Sequence, residues 1–244
     1  LKIPLSIERQ SFVQQFLLPL SKLTEKIILT INSDNVVATC STADSAVVLC
    51  AEYTSSFDVK NSITLNIPDI KKFLKLLDNL KDDVVLLNYN NNHLSYSSKE
   101  IKFKYYLLED GYVQRCPISA SKIQALVSDS SFILSTNCLS EILKGQSIAS
   151  DAGKVYFYIQ DGSVYAELND RERSNINNIA YFVCDEFEGT EFTPLAVDLE
   201  ALRMLTGLRN DTFVVKINTK LNVLLFDVES LNVKTRFAIS ALVK

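Results

Sequence analysis

Tryptophan is absent, histidine and methionine occur once each, and only six glycines are spread over 244 residues. A lone histidine removes the commonest general base, and His93 follows Asn90-Asn91-Asn92, the setting of a solvated hairpin turn. The glycines form neither GxGxxG nor a P-loop spacing, so no phosphate-cradling loop is read. Five cysteines (Cys40, Cys50, Cys116, Cys138, Cys184) are scattered without CxxC spacing, which excludes a disulfide framework and a zinc site and suggests a reducing cytoplasm. Cys116 beside Arg115 has no base to activate it, and Cys40 and Cys50 flank one hairpin as small core residues. The longest apolar run, Phe12 to Leu20, is broken by Gln14 and Gln15 and falls short of the roughly 20 residues that cross a bilayer, so no membrane span or signal peptide is expected. The acidic run from Asp185 to Glu191 reads as a surface turn in preference to a cation site. No catalytic residue, cofactor or metal is expected.

What the chain does have is repetition. Apolar periodicity alternates between 2 and 3.6 in the order strand, helix, three strands, four times over. The helices begin near Glu8, Pro68, Cys138 and Leu199, spaced 60, 70 and 61 residues apart by subtraction, so the units group as two pairs. Phe12, Val13, Phe16, Leu17 and Leu20 line one face of the first helix, which Pro19 is expected to end or kink. The first strand is read from Lys2 to Ile7. Pro68 and Asp69 open the second helix, with Ile70, Phe73, Leu74 and Leu77 inward and Lys71, Lys72, Lys75 and Asp78 opposite. Asn137 is the expected cap of the third helix and Asp198 of the fourth. At an offset of 129, Asp69 meets Asp198, Ile70 meets Leu199, Phe73 meets Leu202 and Leu76 meets Leu205. Asp161-Gly162 marks a hairpin turn in the third unit. The stretch from Glu109 to Ser130 has no clean period and reads as a connector, giving a first domain over 1–108, a connector over 109–130 and a second domain over 131–244.

Charge is distributed unevenly. The chain carries −4 overall, yet the helical stretches 9–24, 68–81, 138–150 and 199–209 hold nine basic residues against four acidic, a net of +5 that leaves −9 elsewhere. The basic set is Arg9, Lys22, Lys71, Lys72, Lys75, Lys81, Lys144, Arg203 and Arg209.

This order of elements resembles the sliding DNA clamps, the family that includes proliferating cell nuclear antigen. Ala43-Asp44-Ser45-Ala46-Val47 is similar to a short polar turn of the family's first domain, and Tyr106-Leu107-Leu108-Glu109-Asp110 leading to Cys116-Pro117 is similar to its strand end and connector. Leu139-Ser140-Glu141-Ile142-Leu143-Lys144 and Asp185-Glu186-Phe187-Glu188-Gly189 resemble the third helix and the acidic turn of the two-domain clamp of large tailed bacteriophages. The resemblance implies an α+β clamp fold, and a homotrimeric ring with sheets outside and helices lining the hole. It implies a processivity factor that encircles duplex DNA without reading its sequence and tethers a DNA polymerase in the cytoplasm, or the bacterial host cell of a virus. Partners so implied are double-stranded DNA, the polymerase, an ATP-dependent clamp loader and further copies of the chain, with no membrane.

The nine helix cations would then face DNA. Subunits would join through Phe103, Tyr105 and Leu107 of one edge strand and Ile179, Tyr181 and Val183 of another. A partner peptide would enter an apolar groove at Val47, Val113, Ile118 and Leu242, the last within Ala241-Leu242-Val243. Two alternatives stand beside this reading: a monomeric DNA-binding processivity factor, and, from another class, a hot-dog-like thioester enzyme.

Overall fold

Alternating burial over Ile3–Glu8 marks the first strand, β1, of a computed structural model that describes residues 3–173 and 175–242. Lys2 and Val243, read above as strand and groove residues, lie outside the described residues. A helical stretch follows in three parts: α1 (Arg9–Ser11), a π-helical segment (Phe12–Leu17) and α2 (Leu18–Leu23). The chain stays helical through Pro19, so the proline does not end the helix. Proline lacks an N–H and its ring crowds the carbonyl one turn back. The wider π turn ahead of it, closed by the Leu18 amide reaching five residues back to the Val13 carbonyl, makes room for that ring.

A meander of β2 (Ile27–Ile31), β3 (Asn35–Ser41) and β4 (Val47–Thr54) completes the first module. The second runs β5 (Ile63–Ile67), α3 (Ile70–Asp78), β6 (Val84–Asn90), β7 (His93–Ser97) and β8 (Lys102–Tyr106). A short helix, α4 (Ala120–Gln124), folds inside the stretch expected to lack structure, pinned by buried Ile123. The third module has β9 (Ser130–Ser135), α5 (Thr136–Lys144) with a closing 3-10 turn (Gly145–Ser147), β10 (Lys154–Gln160), β11 (Ser163–Asn169) and β12 (Ile179–Cys184). After the two-residue β13 (Glu188–Gly189), the fourth has β14 (Leu195–Asp198), α6 (Leu199–Arg203), β15 (Thr212–Asn218), β16 (Val223–Glu229) and β17 (Val233–Ser240).

The two aligned caps behave alike: the Asp69 carboxylate accepts from the Lys72 amide at 2.8 Å and that of Asp198 from the Glu200 amide at 2.7 Å. The third helix is capped by Ser135, not Asn137; its hydroxyl accepts from the Cys138 amide at 3.0 Å. Helix begins earlier there because the Thr136 amide and hydroxyl are satisfied by the Asp211 and Asn210 carbonyls at 2.8 and 2.7 Å. Asp161 and Gly162 both take positive φ, the conformation a tight two-residue hairpin demands.

Strand pairing within each pair of modules is reciprocal. β1 pairs antiparallel with β6 of the second module, and β5 pairs with β2 of the first. The second pair does the same: β9 joins β15, and β14 joins β10. Within each pair of modules the strands run β1-β6-β7-β8 and β5-β2-β3-β4, then β14-β10-β11-β12 and β13-β9-β15-β16-β17. Two compact units follow these pairs: residues up to Ala43 with Val48–Ile123 and Glu229–Thr235, and Asp44–Val47 with Gln124–Val228 and the chain from Arg236 on. In the first unit Phe12 stacks on Phe16 and meets Tyr53 edge-on at 5.1 and 5.0 Å. In the second, Phe157, Phe213 and Phe226 are fully buried, with Phe213 edge-on to Phe226 at 6.3 Å.

On the second unit, Asp227 joins Lys216 at 3.0 Å and receives two hydrogen bonds from the Arg236 guanidinium at 2.6 and 2.7 Å. Burial pushes the Asp227 carboxyl up, and these cations outweigh it, holding the group below the usual carboxylate range. Asp227→Asn removes the carboxylate that both cations share and should lower stability by about 2 kcal/mol near neutral pH. A folded pKa below the unfolded one gives stability that is complete above the unfolded value of about 4 and is lost as pH falls through the folded value. Urea midpoints of wild type and Asp227→Asn should differ at neutral pH and converge in strong acid; a constant gap rules out Asp227 as the titrating group.

Candidate nucleic-acid interface

The helix α3 buries Ile70, Phe73 and Leu77 and exposes Lys71, Lys72 and Lys75. None of these lysines makes an ion pair among the described residues. Lys71 and Lys72 stand in the first turn, at the positive end of the helix dipole, and no acidic residue follows the cap there. The helix is held from beneath: Phe73 packs on Tyr105 of β8 at 5.0 Å, and the Tyr105 hydroxyl donates to the Asp69 carbonyl at 2.7 Å. Burial, with Asp69 nearby, pushes that hydroxyl up to about 12, so it remains a donor at ordinary pH.

The other basic residues are less available. The Arg9 guanidinium donates to the Asp82 carbonyl at 2.9 Å and stands 4.0 Å from Asp78. Lys22 is half-buried, and burial lowers its pKa. Lys81, beyond the end of α3, pairs with Glu100 at 2.9 Å. In the second unit Lys144 pairs with Glu141 and Arg203 with Glu200, each at 2.8 Å and each three residues away on its own helix; Arg203 also bonds Gln146. Arg209 lies past α6 in an irregular segment, exposed and without an ion pair among the described residues. The free positive charge of the helical stretches therefore falls on α3, with Arg209 apart from it.

Both strands expected to join subunits end their sheets: among the described residues β8 pairs only with β7, and β12 only with β11. Tyr105 is buried, while Phe103, Leu107, Ile179, Tyr181 and Val183 are half-buried. Tyr181 lies so close to the end of α5 that a side chain at Gly145 would strike its hydroxyl. The alternate residues face out: Lys102, Lys104 and Tyr106 on β8, Ala180 and Phe182 on β12. Sequence periodicity singled out the apolar set on each strand and missed the exposed one.

For a peptide groove, Val47 and Val113 are buried in the core and Ile118 is half-buried; Leu242 is 41% exposed. Exposed Val127 and Leu221, unpredicted, lie about Asn218, whose side chain donates to the Val127 carbonyl and accepts from the Leu221 amide, both at 2.7 Å. Leu242 belongs to the same locality, since the Ala241 amide donates to the Asn222 carbonyl at 2.7 Å. The signal for Leu221 was an apolar residue set between Lys220 and Asn222 in a turn.

His93 bonds Asn90 and Asn92 at 3.2 and 2.8 Å. Burial pushes the Cys40 thiol up, away from reactivity. Part of the acidic run forms β13 against β9, and no metal-binding cluster occurs among the described residues.

No family model matches the chain, and no curated protein matches it. Solved structures do, and they give it the two-domain fold of the sliding clamps. The proliferating cell nuclear antigen of A. fulgidus, bound to the C-terminal region of FEN-1, is similar at TM-score 0.78 and 10% identity over 99% of each chain. The Entamoeba histolytica and Thermococcus kodakaraensis antigens are similar at TM-score 0.76, with 14% and 13% identity over 99% of each chain.

Lysine at the first turn of α3 opposes the helix dipole, so replacing Lys71 and Lys72 together by Glu should leave the melting temperature unchanged or raise stability by up to about 1 kcal/mol. A fall of several degrees in a thermal melt would give these lysines a structural contact instead.

Proposed function

We propose that this chain is a sliding clamp: three copies close head to tail into a ring around duplex DNA and tether a replicative DNA polymerase. One observation carries the reading. A chain with the clamp fold over 99% of its length concentrates its uncompensated helix cations on α3 while carrying −4 overall. Phosphates attract such lysines whatever the base sequence. Exposed charges on flexible stems, screened within about 8 Å at physiological salt, hold DNA loosely enough for movement along it. Retention then comes from closure of the ring, and the acidic remainder repels DNA from other surfaces.

The finer parts of the proposal are the trimer, joined through β8 and β12 and the half-buried residues on them, an ATP-dependent loader, a cytoplasmic or infected-bacterium setting, and kinship with the phage clamps. Arg9, Lys22, Lys81, Lys144, Arg203 and Arg209 contribute weaker or more distant attraction than Lys71, Lys72 and Lys75. A partner peptide meets Val127, Leu221 and Leu242 of the second unit. Tethering raises the local concentration of polymerase at the primer end without speeding its chemistry.

Light scattering should give a mass near three chains of 27.4 kDa each. Protein loaded on nicked circular DNA should survive a high-salt wash and leave when the circle is cut. Reversing Lys71, Lys72 and Lys75 to Glu should reduce loading and shorten polymerase products while the ring persists. A single-chain mass at all concentrations, or retention indifferent to linearisation, overturns the ring and points to a monomeric DNA-binding factor.

A further inference from the structure

The sheet β14-β10-β11-β12 turns one face to the core and the other away from it. Val155, Phe157, Val164, Ala166 and Leu168 alternate along β10 and β11 and are fully buried. Aromatic rings occupy the positions between them. Tyr158 lies opposite Tyr165, and Tyr165 opposite Phe182, so the three form a row across β10, β11 and β12 with centroids 5.7 and 5.8 Å apart. Tyr158 and Tyr165 are stacked, and Phe182 stands edge-on to Tyr165 and is 50% exposed.

The cations beside this row are already paired. The Arg171 guanidinium lies 4.6 Å from the Tyr156 ring centre and 5.5 Å from that of Tyr158, and it donates twice to Glu167 at 3.1 and 2.6 Å. Lys154 pairs with Asp170 and Glu172, and Arg173 with Asp170. What remains unpaired is negative. Asp161 in the β10–β11 turn, and Asp185 and Glu186 just past β12, are exposed and make no ion pair among the described residues. The antiparallel order sets that turn and the end of β12 at the same end of the sheet, with Asp161 three residues after Tyr158 and Asp185 three after Phe182. The Tyr158 and Tyr165 hydroxyls make no hydrogen bond among the described residues. Burial raises the Tyr158 hydroxyl above its ordinary range, so it stays protonated and able to donate.

We infer that this face receives a cationic, proline-rich segment of a partner protein in the polyproline II conformation, lying across the strands along Tyr158, Tyr165 and Phe182 with its basic side chains toward Asp161, Asp185 and Glu186. Three features select that ligand. Polyproline II advances about 3.1 Å per residue, so each two-residue step matches one ring-to-ring interval. Its carbonyls have no internal partner and can accept from the two tyrosine hydroxyls, whereas an α-helix has already used its own. The free carboxylates attract a basic segment and repel the phosphates of a nucleic acid. Pinned rings and a preformed peptide helix also leave little entropy to lose on binding. The 244 residues offer no such segment, their five prolines standing apart, so the occupant is a partner. The inference goes beyond the ring reading and does not depend on it, because strand pairing at the β12 edge runs in the plane of the sheet while these side chains stand perpendicular to it.

The probe is a fluorescent peptide of three Arg-Pro-Pro triplets, in which the threefold helix returns arginine to one side at every turn. In fluorescence anisotropy it should bind the whole chain saturably, and added salt should weaken it. Phe182→Ala should weaken binding about tenfold. Asp161→Asn, Asp185→Asn and Glu186→Gln together should do the same and flatten the salt dependence. Thermal melts of these surface variants should match wild type. An Arg-Gly-Gly version keeps the charge but not the preformed helix and should bind about tenfold more weakly. Equal binding of the proline and glycine peptides reduces the contact to charge and overturns the proposal, as does binding indifferent to Phe182→Ala, or none at all. A single-stranded oligonucleotide that binds wild type and is lost in Phe182→Ala overturns it in favour of a base-stacking platform. Ring assembly, read separately by light scattering, stands or falls apart from these outcomes.

Discussion

The structure depends on an exchange of strands. In each unit the opening strand of one module completes the sheet of the other: β1 lies on β6 while β5 lies on β2, and β9 lies on β15 while β14 lies on β10. A module by itself would have a three-stranded meander with an open edge and a helix without its companion. Two modules close each other's sheets and bring their helices into contact, as the packing of α3 on α2 and of α6 on α5 records. These pairings join residues far apart in sequence, Ile3 with Tyr89 for example, so loop closure precedes any gain from them and folding should be slow for a chain of this size. The duplicated halves are the consequence of a fold whose smallest stable piece is a pair.

The exchange determines which surfaces remain for function. Helix stripes are committed to the sheets, so only their outward faces are free, and on α3 that face is lysine, with Lys71 and Lys72 in the first turn where a helix alone would prefer carboxylates. A choice that opposes local stability without a compensating contact marks selection for something outside the fold. The sheets likewise have edges that must be managed, and among the described residues β8 and β12 end theirs with no strand beyond them.

Much of this was legible beforehand because the informative features are local. Helix stripes such as Ile70, Phe73 and Leu77, the caps Asp69 and Asp198, and the Asp161-Gly162 turn are set by neighbours within a few residues. The strand exchange was not legible, since periodicity says that a strand exists and nothing about its partner. That the helix does not end at Pro19 was not legible for a related reason: the rule for proline assumes an α-helix, and the π turn is a response of the surrounding backbone. Val47 and Val113 were read as groove walls because apolar residues near a turn look alike whether buried or exposed, while Val127 and Leu221 owe their setting to Asn218, 91 residues from Val127 in the chain. Ion pairing three residues apart was visible in principle for Glu141 with Lys144 and Glu200 with Arg203, and it changes the meaning of the helix charge count.

That pairing separates the two units electrostatically, although both follow the same order of elements. Both cations on the helices of the second unit have a partner on their own helix, and α3 of the first has three without one. Surface pairs at this spacing contribute only about 0.3–0.5 kcal/mol each, so stability is a weak reason for the difference. Their larger effect is on the field outside: a lysine with its carboxylate beside it is nearly neutral beyond a Debye length, while a bare cluster is not. In a ring of three such chains, positive potential would therefore come in three patches instead of six. A duplex would be centred by attraction from a few separated places, each weak and quickly exchanged for the next phosphate, which is the balance that sliding requires and tight binding would defeat.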